Sequence, residues 1–378
     1  MTSLTASAPG KIVLLGEYAV LSGATALVAA VNRRARVRLM TTDAAAAPEP
    51  SGQPGQPGPA QQPKPTAHPR WTVDSPSLGI TGATATVTPA GHIRWDSDLA
   101  TDQLGLVSTV LAALHRDGLA PSAKIELDTH ELHAEQPDAA PDAAQRTPPT
   151  KLGLGSSAAL TVALAGALAA AANGAALRTE DLLRTHRRLQ DGHGSGIDVA
   201  AAVHGGLLRF TPGPQGPTVE AVTLPPALSW CCVWTGRPAS TRDFLTRIAA
   251  WRAREPDRHD GLMDLLAQTS AAGVDAVHQQ DAAAFLSAVD SYAVLLSELG
   301  TASGADIVCA EHRALASIAE TSGVSYKSCG AGGGDIGVAL TTEPDRLDRF
   351  RELAQKAGFH PLALTVDPLG FSVQSDPN

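Results

Sequence analysis

The 378-residue sequence has few cysteines and no excess of positive charge. Its four cysteines show no CxxC or Cys/His spacing typical of a metal site, and we interpret them as buried thiols in a reducing cytoplasm. They are Cys231, Cys232, Cys309 and Cys329. The net charge of −9 at pH 7 argues against a nucleic-acid or membrane partner, because both need a basic surface. An anionic substrate would therefore need a local basic pocket.

Long apolar runs, a signal peptide and a Walker loop are also missing. Residues 1–9 contain neither a basic segment nor an apolar core, and no uninterrupted stretch is as long and as apolar as a membrane span. No Gly-Lys-Ser/Thr follows the glycines at the spacing that a Walker loop requires. The apolar content of 43% is ordinary for a globular protein, and the length is sufficient for two domains. We therefore expect a cytoplasmic globular protein.

The stretch KLGLGSSAAL, residues 151–160, is the first candidate for chemistry, and an apolar run follows it. Gly153 and Gly155 permit a tight turn and a close approach to a ligand, and the Ala/Leu/Val run favours a helix. A helix N-terminus attracts anions, and Ser156 and Ser157 add hydroxyls that can bond a phosphate or ligate Mg²⁺. The stretch predicts a phosphate cradle that opens a helix. The alternative is the N-cap of a buried helix.

Three further stretches place polar residues or glycines in unusual surroundings. Lys11 follows a Pro-Gly turn within residues 7–21, where the alternative is a solvated residue at a strand edge. Asp198 follows the glycine-rich bend 192–196 and fits a base or orienting group, or a residue that complements a helix dipole. The run 330–334 contains four glycines, which a close approach to a ligand or to a facing loop explains.

Strand-like and helix-like patterns alternate along the rest of the chain, which predicts an α+β protein. The composition of residues 44–69 and 135–150 offers little to build a core, and we predict flexible surface insertions there. The predicted helices of the remaining chain are 98–115, 179–188, 241–251, 261–279, 282–299, 307–320 and 344–357.

The motifs together resemble those of the GHMP kinases. Residues 8–20 (APGKIVLLGEYAV), 153–159 (GLGSSAA) and 329–337 (CGAGGGDIG) are similar to the three ordered motifs of that superfamily. The resemblance implies an α+β GHMP kinase two-domain fold with ATP and Mg²⁺ in the cleft between the domains. The N-terminal domain, residues 1–215, would be ribosomal protein S5 domain 2-like and bind ATP. The C-terminal domain, residues 216–378, would be ferredoxin-like.

Within the superfamily the details resemble the phosphomevalonate kinases. Tyr18 stands where mevalonate kinases usually carry histidine, and residues 194–200 lack the proline that those enzymes place before the serine. Asp335 and the segment 234–241 also match the phosphomevalonate kinase pattern. The departures are Cys329, Ile336 and His193, the last standing where lysine is often found. The resemblance implies conversion of 5-phosphomevalonate to 5-diphosphomevalonate. The alternatives are a mevalonate or other small-alcohol kinase and a lyase similar to diphosphomevalonate decarboxylase.

The resemblance also implies roles for single residues. Lys11 would reach the transferred phosphoryl group, and Asp198 would be a base for an alcohol acceptor or orient Lys11 for a phosphate acceptor. The nucleotide phosphates would contact Gly153, Leu154, Gly155, Ser156, Ser157 and Ala158, and Mg²⁺ would bind Ser156 or Ser157. The candidates for acceptor binding are Lys151, His193, Ser195, Gly196, Arg237, Arg242, Lys327, Gly332 and Gly333. We expect a small phosphorylated substrate and a monomer or homodimer.

Overall fold

The computed structural model describes residues 3–41, 69–88, 90–134, 150–173, 177–189, 194–239 and 241–376. The predicted insertions at 44–69 and 135–150 lie outside these residues, except for Pro69 and Thr150 at their ends. His193 lies outside them too, and for Arg242 the backbone alone is described.

Helices and strands alternate in the described residues, so the predicted α+β class is confirmed. The strands are β1 (Ser3–Leu15), β2 (Ala26–Thr41), β3 (Arg70–Ser75), β4 (Ile80–Val87), β5 (Ile93–Trp95), β6 (Ala123–Asp128), β7 (Leu207–Thr211), β8 (Thr218–Val222), β9 (Ser229–Trp234), β10 (Ser325–Ser328), β11 (Ile336–Thr341), β12 (His360–Leu362) and β13 (Ser372–Ser375). The α-helices are α1 (Asp98–Gln103), α2 (Gly105–Arg116), α3 (Ser156–Asn173), α4 (Thr179–Leu189), α5 (Ile197–His204), α6 (Thr241–Arg254), α7 (Pro256–His278), α8 (Ala282–Ser303), α9 (Ala310–Ser322) and α10 (Pro344–Lys356).

The larger sheet positions the predicted phosphate cradle. Its strand order is β13-β1-β2-β6-β3-β4-β5, with β7 paired to β2 and β8 paired to β7. Helix α3 packs on β1 and β2, and α5 packs beside it on β1. The Ala-rich sequence of α3 has small side chains, which let the helix lie close to the sheet; Ala158, Ala163 and Ala167 are fully buried. The helix is therefore fixed with its first turn beside β1.

The smaller sheet has the order β10-β11-β9-β12, and all its pairs are antiparallel. Alternation along β9 sends Cys231 to the face covered by α9 and α10, and Cys232 to the face that joins the core of α7 and α8. All four cysteines are free and buried, as the sequence predicts. The smaller sheet is thus covered on both faces.

The strand pairing crosses the predicted domain boundary at residue 215. Both β8 and β13 belong to the larger sheet, although they follow that residue in the chain. The division into residues 1–215 and 216–378 stays a prediction.

The C-terminal segment is tied to the larger sheet by one side chain. The guanidinium of Arg34 pairs with Asp367 and donates hydrogen bonds to the carbonyl oxygens of Leu369 and Gly370. The ring of Phe371 fills the space beside Gly166 of α3, where a Cβ would lie 2.1 Å from the ring. The segment therefore reaches β13 through contacts with β2 and α3.

Helix α8 differs from the sequence-based expectation about apolar stretches. By length and composition it is able to cross a membrane, with a mean hydropathy of 1.4 over the window tested. Phe285, Tyr292 and Leu299 of α8 are nevertheless buried in the core. One face of the helix thus packs on the core, and 33% of the window is buried.

Candidate active site

The predicted phosphate cradle forms the turn before α3. Gly153 and Gly155 have φ values of 81° and 74°, which L side chains rarely adopt. The predicted helix follows the turn and begins at Ser156, and the carbonyl oxygen of Gly155 accepts hydrogen bonds from the N–H groups of Ala158 and Ala159. The first-turn N–H groups that precede them have no intrahelical partner, so this end of α3 suits an anion.

Lys11 lies directly against this turn. Its N–H donates a hydrogen bond of 2.8 Å to the Leu154 carbonyl oxygen, which fastens the turn to β1. A Cβ at Gly155 would be 3.1 Å from Lys11 Cε and 3.6 Å from Asp198 Oδ2. The glycine at 155 thus permits close approach of the lysine and aspartate side chains.

Lys11 and Asp198 form an ion pair. The distance from Lys11 Nζ to Asp198 Oδ1 is 3.6 Å, and Asp198 lies in the first turn of α5 after Gly196, whose φ is 85°. A Cβ at Gly330 would lie 3.9 Å from Lys11 Nζ. Gly155, Asp198 and Gly330, from three separate stretches of the chain, therefore all lie beside the Lys11 side chain.

The glycines of the run 330–334 lie close against other segments of the protein. A Cβ at Gly332 would lie 2.3 Å from the Ile307 carbonyl oxygen, and one at Gly333 would lie 2.3 Å from the ring of Phe244. The facing loop, one of the two explanations from sequence, accounts for both residues. Their role in acceptor binding stays a prediction.

Asp335 ends this stretch in a left-handed conformation, with φ 55°. Its N–H donates to the Arg237 carbonyl oxygen at 2.7 Å, and its Oδ1 accepts from the Ala239 N–H at 3.1 Å. The carboxyl group packs on Gly153, where a Cβ would be 2.4 Å from Asp335 Cγ. Burial raises the pKa of Asp335, and the Ala239 N–H and Lys11 oppose the shift. Asp335 thus joins the third stretch to the phosphate cradle.

Comparisons with known proteins agree with this geometry. Residues 108–206, which include the cradle and Asp198, match the GHMP kinases N terminal domain. The match assigns this part of the chain to the GHMP kinases. The predicted superfamily and the prediction of a phosphotransferase are both confirmed.

Similar GHMP kinases cover nearly the whole chain. The phosphomevalonate kinase of Streptomyces sp. strain CL190 is 27% identical over 95% of this chain and 96% of its own. The mevalonate kinase of Bos taurus is 26% identical over 98% and 95%.

Solved structures share the fold of this GHMP kinase. The Lin0012 protein of Listeria innocua has a TM-score of 0.77 at 22% identity, with both chains fully covered. A Streptococcus pneumoniae phosphomevalonate kinase in complex with phosphomevalonate and AMPPNP has a TM-score of 0.70 at 18% identity, over 97% of this chain and 100% of its own. The predicted GHMP kinase fold is therefore confirmed.

A buried ion pair beside the site escaped the sequence analysis. Lys327 Nζ donates to Glu17 Oε1, and both side chains are sealed from solvent. The Tyr292 hydroxyl donates to the Glu17 carbonyl oxygen at 2.6 Å. Burial raises the pKa of Glu17, and the Lys327 ammonium opposes the shift. Lys327 was predicted to bind the acceptor, but its charge is already matched, so the structure gives that role no support.

His186 of α4 is a second residue that the sequence analysis missed. Its Nε2 lies 3.3 Å from Ser157 Oγ, and the residue is 3% exposed. Burial lowers the pKa of His186, with Asp198 opposing, so the ring is neutral at pH 7. No motif marks this histidine; it is one polar residue on an amphipathic helix.

The remaining acceptor candidates are dispersed. Lys151 is exposed and its backbone forms a bridge with His133. Arg237 is half exposed, and its guanidinium lies 3.7 Å from Glu311 and 4.0 Å from Asp306. Ser195 Oγ accepts a hydrogen bond from the Ile197 N–H at 3.3 Å. The space where a Cβ would lie at Gly196 is filled by the Leu183 side chain.

Proposed function

We propose that this GHMP kinase transfers the γ-phosphoryl group of ATP to 5-phosphomevalonate and produces 5-diphosphomevalonate. The observation that carries the proposal is the meeting of the three motifs at Lys11. Curated relatives of similar length are named phosphomevalonate kinase and mevalonate kinase, which supports a kinase of the mevalonate pathway. The four buried free cysteines support a reducing, cytoplasmic setting.

The chain's own residues account for the main electrostatic needs of phosphoryl transfer. The ammonium group of Lys11 donates to the transferred phosphoryl oxygens, and Asp198 at 3.6 Å holds it in place. The N-terminus of α3 and the 153–158 backbone hold the nucleotide phosphates. A phosphate acceptor has a second pKa of about 6, so most of it is ionised at neutral pH and it needs no strong base. Asp198 therefore orients Lys11 and the acceptor.

The residues present fit a divalent cation at the cradle. Mg²⁺ prefers oxygen ligands, and Ser156 and Ser157 supply hydroxyl oxygens beside the site of the nucleotide phosphates. No group of three or more His, Cys, Asp or Glu ligands occurs among the described residues. When bound, the cation supplies positive charge that neutralises the phosphate oxygens.

A second candidate acceptor is unphosphorylated mevalonate. The burial of Lys327 against Glu17 removes one basic residue from the predicted phosphate ligands. Asp198 would then accept the proton of the mevalonate hydroxyl. The acceptor phosphate in our proposal depends on Lys151 and Arg237, together with Arg242 and His193.

A coupled assay of ADP release separates these candidates. We would compare mevalonate, phosphomevalonate, homoserine and galactose as acceptors, and identify the product by phosphorus NMR. We expect the highest kcat/KM with phosphomevalonate and a diphosphate product. A higher kcat/KM for mevalonate would replace our proposal with the alcohol kinase. Release of CO₂ from diphosphomevalonate would assign the chain to the lyases.

A further inference from the structure

The carboxylate of Asp335 faces the phosphate cradle and has no cationic partner of its own among the side chains that the structure describes. Lys11 is near enough to lower the pKa of Asp335, but it pairs with Asp198, and Lys327 pairs with Glu17. Among the described side chains, none forms an ion pair with Asp335. Its Oδ1 accepts a hydrogen bond from the Ala239 N–H. Its Oδ2 lies 2.5 Å from the position that a Cβ on Gly153 would take.

This arrangement opposes the binding of a nucleotide that carries no metal ion. Polyphosphate oxygens that approach the N–H groups of the cradle come near a carboxylate in a partly buried, low-dielectric place. The negative charges of the phosphates and of the carboxylate repel each other strongly there. Lys11 is already paired with Asp198 and offsets only part of that repulsion. A cation between the phosphates and Asp335 Oδ2 would convert the repulsion into attraction.

We propose that Asp335 makes nucleotide binding depend on a divalent cation, because its Oδ2 contributes to holding that cation against the 153–158 turn. The inference rests on the proposed function, since it requires a nucleotide at this turn. It adds a carboxylate from the third motif to the hydroxyls of Ser156 and Ser157. The hard oxygen ligands fit Mg²⁺ or Mn²⁺.

The Asp335→Asn variant tests the charge separately from the structural contacts. Asparagine tolerates a left-handed backbone as aspartate does, and its amide oxygen keeps the hydrogen bond from Ala239. The matched control is Asp306→Asn. The carboxylate of Asp306 is half exposed and lies 4.0 Å from the Arg237 guanidinium. Melting temperatures would establish that all three proteins are folded.

The readout is the dissociation constant of ATP by calorimetry, once with EDTA and once with saturating Mg²⁺. In the wild type and in Asp306→Asn we expect Mg²⁺ to tighten ATP binding by about 30-fold or more. In Asp335→Asn the gain in affinity should fall to about threefold, mainly because this variant binds metal-free ATP better. Mn²⁺ binding to the ADP complex, followed by electron paramagnetic resonance, should weaken by about tenfold in Asp335→Asn.

The outcomes separate this inference from the proposed function. If the wild type binds no nucleotide under either condition, the proposed kinase function fails. If the wild type binds Mg·ATP and the Mg²⁺ gain is the same in Asp335→Asn, the role of Asp335 is overturned while the kinase function stands. An equal loss of ATP binding with and without Mg²⁺ would also overturn it, since that is the result of a purely structural contact.

Discussion

The carboxyl group of Asp335 occupies the space that a side chain at Gly153 would need. The two residues belong to motifs that are far apart in the chain, and a Cβ on Gly153 would come within 2.4 Å of Asp335 Cγ. The glycine therefore serves contact between two protein segments as well as the turn itself. Replacing Gly153 should therefore cost more stability than its positive φ alone predicts.

Gly153→Ala tests that contact against a control that shares the backbone strain. Gly79 also has a positive φ, of 66°, but no atom lies within 4 Å of its hypothetical Cβ. We expect Gly79→Ala to lower the free energy of unfolding by about 1 kcal/mol and Gly153→Ala by about 3 kcal/mol, with loss of nucleotide binding. Urea denaturation measures both. Equal losses would show that Asp335 moves aside freely.

Lys11→Ala and Asp198→Ala should each impair the transfer step. Both side chains are assigned to the transferred phosphoryl group, so we expect kcat to fall by about 100-fold or more while the dissociation constant of ATP changes by less than about threefold. Lys124→Ala is the control, because Lys124 forms exposed ion pairs with Asp74 and Glu126 on the larger sheet. Single-turnover kinetics would measure the step, and a near-normal kcat in either variant would exclude that residue from it.

Ser157 and His186 should act as one unit in nucleotide binding. If His186 fixes the Ser157 hydroxyl, then His186→Gln and Ser157→Ala should each raise the KM for Mg·ATP by about threefold to tenfold, and the double variant should be no worse than the poorer single one. His204→Gln, at the far end of α5, is the control. If the two increases in KM multiply in the double variant, His186 and Ser157 act independently, which would contradict a role for their contact in nucleotide binding.

The buried Glu17–Lys327 pair should show strong coupling in stability. Glu17→Gln or Lys327→Met alone leaves an uncompensated buried charge, which should lower the free energy of unfolding by about 3–5 kcal/mol, whereas the double variant should recover much of that loss. Lys124→Met removes a lysine that forms exposed ion pairs with Asp74 and Glu126, and it should change the free energy of unfolding far less. Denaturant titration of all four proteins checks this. Small single effects would mean that water reaches the pair.

His312 should make the protein sensitive to acid. Its ring is fully buried between the Tyr326 hydroxyl and the Gly334 carbonyl oxygen, and burial lowers its pKa from 6.5 to about 4. Below pH 6.5 the unfolded chain binds a proton that the folded ring does not, so stability falls as the pH decreases toward 4. His312 should account for about 3 kcal/mol of that loss.

The His312→Gln variant isolates this contribution. Its free energy of unfolding should depend less steeply on pH between 6.5 and 4 than that of the wild type. His92→Gln removes an exposed histidine and should leave the pH dependence unchanged. Identical slopes for the wild type and His312→Gln would show that another group is responsible.

The sequence predicted those parts of the site that depend on local chemistry. The glycine-serine turn and the Ala-rich run predicted that a helix follows the turn, because turn and helix propensities act over a few residues. The same reasoning joined residues 98–115 into one helix. The structure divides that stretch into α1 and α2, with Leu104 between them at φ −99° and ψ 26°.

Contacts between distant residues had no local signal. Glu17 and Lys327 each looked like an ordinary charged residue, and the pairing of the two depends on how β10 meets the end of β1. The same holds for Asp335 on Gly153 and for His186 beside Ser157. Family resemblance gave the identities of the motif residues, but only the packed structure shows which of them touch.

The pairing of β1 with β13 bears on how the protein is made. These strands share four residue pairs, and Ser3 and Thr5 also donate hydrogen bonds to Asp376. During translation β1 leaves the ribosome long before β13, the strand that covers its outer edge. Until then the edge is open to wrong partners, since unpaired strand edges favour aggregation. Closure of the larger sheet therefore awaits the synthesis of β13.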